Sequence, residues 1–184
     1  MTGRTHLYAG VAASAYLLLH AGAPLTAFPG ALAAAAVGAL LPDIDEPHSR
    51  AAHAVPIAGA VAGEALKHSV GHRTATHSLL ALALLYFGVH ALWPQVPRLV
   101  LLSGALGFAS HLLLDALTPE GVDLLWPFDW LLHLPRLSLV RWLPRAHLFK
   151  TQGFLEVLLF RPGLLLALVV LAWDVVAAQH IQWL

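Results

Sequence analysis

The feature that most constrains this chain is the recurrence of apolar runs close to the ~20 residues that a helix needs to cross a bilayer. A soluble helical bundle with one small core would not need them. Composition agrees, since 59% of the 184 residues are hydrophobic and 11% charged, against roughly one-quarter charged in soluble domains. Five apolar helices can be drawn, at about His6–Ala21, Pro24 or Pro29 to Leu41, Thr76–Trp93, Pro97–Leu117 and Pro162–Trp183. Prolines at 24, 29, 94, 97 and 162 fall at their ends, where a fixed φ and a missing donor are tolerated. Val55–Leu66 is about a dozen residues long, which suits a re-entrant or interfacial helix better than a span. Trp130–Phe149, rich in Trp, Pro and Arg, reads as an interface-lying stretch. The expected fold is therefore all-α: a polytopic membrane helical bundle, residues 1–184 as one domain, with about five transmembrane helices plus short interfacial or re-entrant ones. Leu7–Leu19 reads as a retained helix, because His20 interrupts it and no clear small-residue cleavage site follows.

Five spans would place the N-terminus, 42–73 and 119–161 on one side of the membrane. That side holds nine of the ten Lys and Arg residues, with Arg98 alone opposite. The positive-inside rule makes it the cytoplasmic side. Net charge is zero with histidine neutral, so no basic surface suggests a nucleic-acid partner. With no cysteine, a metal here would need nitrogen and oxygen ligands. Twelve histidines against ten Lys plus Arg point to metal or proton chemistry.

The polar residues sit at the cytoplasmic ends of the helices. His6 stands at the start of the first, where an interfacial histidine is also a common structural residue. The second ends in "LLPDIDEPHS", and Asp43, Asp45 and Glu46 there oppose the helix dipole unless a cation or another partner compensates. A D-x-D turn can aim two carboxylates into one cavity, or remain a solvated loop. "GHRTATHSLL" sets His72, Arg73, His77 and Ser78 at the mouth of the third helix, with Thr74 or Thr76 as its expected cap. Free amides at such a terminus, together with Arg73, favour an anion; the plain alternative is a polar cap facing lipid headgroups. In the fourth helix His111 and Asp115 are i and i+4, and Thr118 continues their face. Gly104 and Gly107 on the same side would let another helix approach closely. Ionisable residues inside a membrane helix are costly and mark functional sites by default. This pair can ligate one metal or be a His–Asp pair that holds helices together. Asp123 and Asp129 read as solvated. Glu156 either completes the site or stabilises a helix N-terminus. His20, His90 and His180 lie at the opposite helix ends, about one membrane thickness away.

In order, the H-L near the N-terminus, "LLPDIDEPHS", "GHRTATHSLL" and "SHLLLDALTPEGVDLLWPF" resemble the YdjM-type family, bacterial inner-membrane proteins described as LexA-regulated metal-dependent hydrolases. The resemblance runs from His6 to about Phe128. It implies a membrane-bound hydrolase and carries over His6, Asp43, Asp45, His72, Arg73, His77, Ser78, His111, Asp115 and Thr118; Glu156 falls where the family varies more. The His-x-x-x-Asp pattern is also loosely similar to zinc-dependent phospholipase C enzymes, which points toward a phosphoester. The expected function is then a metal-dependent hydrolase acting on a lipid phosphoester at the cytoplasmic face of the inner membrane. His6, Asp43, His77, His111, Asp115 and Glu156 are the candidate metal ligands, with zinc favoured by the imidazoles and manganese or magnesium compatible with the carboxylates. His72, Arg73, Asp45, Ser78 and Thr118 are the candidate catalytic residues, and no organic cofactor is expected. Membrane lipid would be both solvent and substrate. No H-E-x-x-H motif supports a metalloprotease. The competing class is a transporter or metal-binding scaffold, which for a transporter would set its polar residues near the bilayer midplane.

Overall fold

The computed structural model describes residues 1–45, 75–133, 135–138, 151 and 153–181. Five long helices account for most of them: α1 (Gly3–His20), α2 (Phe28–Leu40), α3 (Leu79–Leu92), α4 (Arg98–Ala116) and α5 (Arg161–Ile181). Among the described residues there is no strand, only an isolated antiparallel bridge between Val122 and Leu137. Among the described residues, three helical stretches are long and apolar enough to cross a membrane: Leu25–Ile44, which contains α2, then α4, and Glu156–Ala177, which covers most of α5. The other two are limited differently. α3 is apolar but has 14 residues, about 21 Å of helix, whereas α1 carries Arg4, Thr5, His6, Ser14 and His20.

The helix boundaries follow from local chemistry. Pro29 lies in the first turn of α2 and Pro97 immediately precedes α4, both positions where a missing N–H costs nothing. α1 stops at a glycine, with Gly22 at φ +59°, the left-handed conformation that closes helices cheaply only without a Cβ. The start of α3 differs from the expected cap. Ala75–His77 form a 3₁₀ turn, and Ser78 caps the helix by accepting the Ala81 N–H at 3.1 Å. An extended Ser78 backbone (φ −119°, ψ 160°) sets the helix start there rather than at Thr76; Thr74 lies outside the described residues. Val55–Leu66, and most of Trp130–Phe149, lie outside the described residues.

Helices α1, α2 and α4 pack closely on one another through small residues. A Cβ at Gly10 of α1 would lie 2.6 Å from the Ala39 Cβ and 3.2 Å from the Gly107 Cα, so three backbones meet there. Buried Ser14 donates to Ser103 at 2.8 Å across the α1–α4 contact, a polar link of the kind that holds helices together in lipid. α3 rests on α4, and α5 rests on α1. Both leave large apolar side chains outside, among them Leu84, Phe87, Leu166, Val169 and Trp173. In water such a surface would be an aggregation hazard; facing hydrocarbon it is the expected exterior. The packing brings the start of α1, the end of α2, the approach to α3, the end of α4 and the approach to α5 to one end of the bundle.

Candidate metal centre

Among the described residues, four elements bring five ionisable side chains into one cluster at that end. His111 and Asp115 come from one face of α4, Asp43 from a 3₁₀ turn (Leu41–Asp45) that continues α2, His77 from the turn before α3, and His6 from the first turns of α1. His6, His77, His111 and Asp115 are fully buried. Asp43 keeps 19% of its side chain accessible, so it marks the open side of the cluster.

Nε2 of His111 lies 3.2 Å from Nε2 of His77. Asp43 Oδ1 is 3.6 Å from both nitrogens, and so is Asp115 Oδ2. Ligand atoms around an ion that binds nitrogen and oxygen at about 2.0–2.2 Å stand roughly 3.0–3.6 Å apart. Among the described residues there are two candidate ligand groups: Asp43, His77 and His111, and His6, His111 and Asp115. They overlap at His111, and its hydrogen bonding limits how they can be used. His111 Nδ1 is 2.8 Å from the Ala39 carbonyl oxygen, which can only accept. The proton therefore sits on Nδ1 and the single lone pair on Nε2, which can serve one ion. Ala39 is available because the last four carbonyls of a helix have no partner within it.

Nε2 of His77 faces that lone pair, and the contact closes either with a proton between the rings or with a cation that takes both lone pairs. Burial holds the His77 imidazole below its usual pKa, against the pull of Asp43. That favours the neutral ring, the form that ligates metals. His6 stacks on His111 with centroids 3.7 Å apart and planes 15° from parallel. Neither of its ring nitrogens makes a well-formed hydrogen bond, although Nε2 lies 3.2 Å from Asp115 Oδ1. A buried imidazole in that state loses its hydration without a replacement, and a cation bound beside Asp115 would supply one. The Met1 nitrogen also contacts Asp115 Oδ1.

The other candidates fall elsewhere. His72 and Arg73, and the Asp45 side chain, lie outside the described residues. The Ser78 hydroxyl caps α3 and donates to the Ala75 carbonyl at 2.7 Å. That of Thr118 donates to the Asp115 carbonyl at 2.7 Å, which ties off α4 beside the ligands. Glu156 belongs to neither ligand group: its Oε1 accepts from the Thr2 N–H, the Thr2 hydroxyl and the Thr5 hydroxyl. Two of the free amides expected at the start of α3 are taken, Leu79 N–H by the Leu124 carbonyl at 2.9 Å and Ala81 N–H by Ser78. Asp123, expected to be solvated, pairs with Arg136 at 3.1 Å. Sequence reasoning missed the Ala39 carbonyl, whose role has no side-chain signal. It also missed Thr2, Thr5 and Arg161, for which the T-x-x-T at the chain start was the available sign.

The ordered motifs have a counterpart in known proteins. The YdjM inner membrane protein family matches residues 1–183. An uncharacterized protein, YvsG, from Bacillus subtilis (strain 168) is 37% identical over 137 residues, 73% of this chain and 79% of its own. The inner membrane protein YdjM of Escherichia coli (strain K12) is 42% identical over 107 residues, 52% of this chain and 48% of its own. The YdjM protein of Shigella flexneri matches to the same extent. The chain thus spans about half the length of the YdjM proteins it matches. No solved structure matches it. With helices apolar and long enough for a bilayer and a family match over nearly all its length, the chain belongs to the YdjM inner membrane protein family and is a membrane protein.

Proposed function

We propose that this protein is a metal-dependent hydrolase that cleaves a lipid phosphoester at the cytoplasmic face of the inner membrane, folded as one domain. The observation that carries the reading is the convergence of His77 Nε2, His111 Nε2, Asp43 Oδ1 and Asp115 Oδ2 at 3.2–3.6 Å, inside a fold otherwise made of apolar helices. Two imidazoles and two carboxylates suit zinc best, with manganese or magnesium as the harder alternatives. When bound, such an ion supplies a water nucleophile at neutral pH and draws charge from a phosphoryl oxygen. The protein's part is to hold the donors. The Ala39 carbonyl fixes the tautomer of His111, His6 braces its ring by stacking, and the Ser78 and Thr118 hydroxyls stiffen the backbone beside His77 and Asp115. Substrate approaches from the accessible side of Asp43. His72 or Asp45 takes a proton as general base, and Arg73 pairs with the phosphoryl anion.

The test is chemical. Metal-loaded protein incubated with bacterial lipid extract releases a headgroup or phosphate detectable by mass spectrometry, and Asp43→Ala, which removes a donor at the open side, does not. If metal-loaded wild type alters no lipid, the hydrolase reading falls and a metal-binding scaffold takes its place.

Orientation has its own check, because the chain has no cysteine and single cysteines can be placed at will. Glu120 and Gln95 are exposed at opposite ends of α4. In intact cells a membrane-impermeant maleimide labels Gln95→Cys from the periplasm, and labels Glu120→Cys only after the inner membrane is opened. The reverse pattern would put the metal centre on the periplasmic face.

A further inference from the structure

The turn before α5 carries a buried carboxylate that the metal centre does not use as a donor. Glu156–Phe160 form a π-helical turn, in which the Arg161 N–H donates to the Glu156 carbonyl. Its cause is local: Pro162 has no N–H and its ring crowds the carbonyl four residues back, so the chain widens just ahead of it. The consequence is geometric. At 100° per residue, an α-helix would set Glu156 and Arg161 about 140° apart; the wider turn lets both reach the start of α1. Glu156 is 1% exposed. Its Oε1 accepts from the Thr2 N–H and hydroxyl, each at 2.7 Å, and from the Thr5 hydroxyl. Arg161 donates to the Thr2 hydroxyl at 3.0 Å and lies 3.6 Å from Glu156. The Thr2 carbonyl in turn accepts the His6 N–H at 3.1 Å. A carboxylate held by the first amide and hydroxyls of a helix also suits the positive end of its dipole.

We propose that Glu156, delivered by this π-turn and paired with Arg161, is a positioning residue for the metal centre. It clamps the first turn of α1 so that His6 stays stacked on His111 with Nε2 beside Asp115. The chain of contacts is continuous, from Glu156 to Thr2 to His6 to His111. Packing alone would hold α5 against α1, but it would not fix the rotation of α1 that aims His6. The proposal rests on the metal-binding reading and adds to it a residue that acts through another. Outer partners of this kind typically change metal affinity by roughly 10–100-fold when removed.

The test uses the full-length protein in detergent with cobalt(II) as probe, since its visible spectrum reports coordination. Glu156→Ala should keep its helical circular dichroism, shift the cobalt bands as His6→Ala does, and weaken cobalt binding at least tenfold. Glu156→Gln, which keeps the acceptor oxygen, should restore most of the wild-type spectrum. Combining Glu156→Ala with His6→Ala should add nothing to His6→Ala alone, because both remove one unit. A wild-type spectrum in Glu156→Ala, or full additivity with His6→Ala, overturns the proposal. If Glu156→Ala does not fold, Thr5→Val, which deletes one clamp hydroxyl at constant shape, carries the same comparison, and an unchanged spectrum there overturns it equally. Cobalt failing to bind wild type is a separate result: it removes the metal centre itself, and the clamp with it.

Discussion

His111→Ala and Asp115→Ala each leave the purified protein without stoichiometric metal, whereas Asp123→Ala, an acidic change outside the centre, leaves metal content at the wild-type level. The expected loss is large because each of these two residues faces three of the other donors. His111 Nε2 faces His77, Asp43 and Asp115 at 3.2–3.6 Å, and Asp115 offers Oδ1 to His6 and Oδ2 to both other imidazoles. Removing an outer partner costs roughly 10–100-fold in affinity; removing a donor itself costs more. Stability should report the same event without any assay of activity. A ligand at a hundredfold excess over its Kd stabilises the folded state by about 2.7 kcal/mol, so wild type melts several degrees higher with zinc and the two variants do not shift. Equal metal content in wild type, His111→Ala and Asp115→Ala would sink the metal centre. The control is informative because Asp123 pairs with Arg136, so its replacement removes one carboxylate from this end of the bundle, as Asp115→Ala does, without touching a ligand.

How much of this was legible in the sequence depends on the range of each signal. The His111–Asp115 pair is an i,i+4 relation within one helix, and helical period alone puts both on one face. Asp43 and His77 were legible for a different reason: each polar group follows or precedes an apolar run, and alternating spans bring such ends to one level. The cap of α3 is Ser78 and not the expected Thr, because a 3₁₀ turn before a helix leaves no trace in the apolar pattern and both Thr and Ser are good caps. For Glu156 the sequence leaves two roles open, completing the site or stabilising a helix N-terminus, and the hydrogen bonds to Thr2 and Thr5 agree with the second. Glu156 serves the terminus of a different helix, α1, and the widened turn that rotates it there is invisible to a 3.6-residue period. The close approach was half legible. Gly104 and Gly107 stood out on the His111 face, but the glycines that answer them, Gly10 and Gly38, sit on other helices, and one sequence does not say which helices touch.

Those glycines give the second large effect, and its sign changes with position. Gly38→Ala and Gly107→Ala should abolish the folded, metal-binding protein, while Gly104→Ala and Gly88→Ala should be tolerated or slightly stabilising. Ala is favoured over Gly inside a helix by about 1 kcal/mol, so every one of these changes starts with a gain. What decides the outcome is the neighbour. A Cβ on Gly38 falls far inside van der Waals distance of the Gly104 carbonyl oxygen, and one on Gly107 does the same to the carbonyl of Ala35. Both obstacles are backbone, which cannot swing aside as a side chain would. At Gly104 the nearest atom to an added Cβ is the Ala34 carbonyl oxygen at 3.6 Å, an ordinary contact, and at Gly88 there is nothing within 4 Å. Pushing α2 off α4 also parts the Ala39 carbonyl from His111 Nδ1, so the tautomer that readies His111 for a cation is lost with the packing. In lipid no hydrophobic force draws the helices back, because helix association there depends on close van der Waals contact and interhelical hydrogen bonds. Thermal melting in detergent, read beside metal content, separates the cases. A Gly107→Ala protein that melts and binds metal like Gly104→Ala would mean that α2 and α4 do not approach backbone to backbone at the centre of this fold.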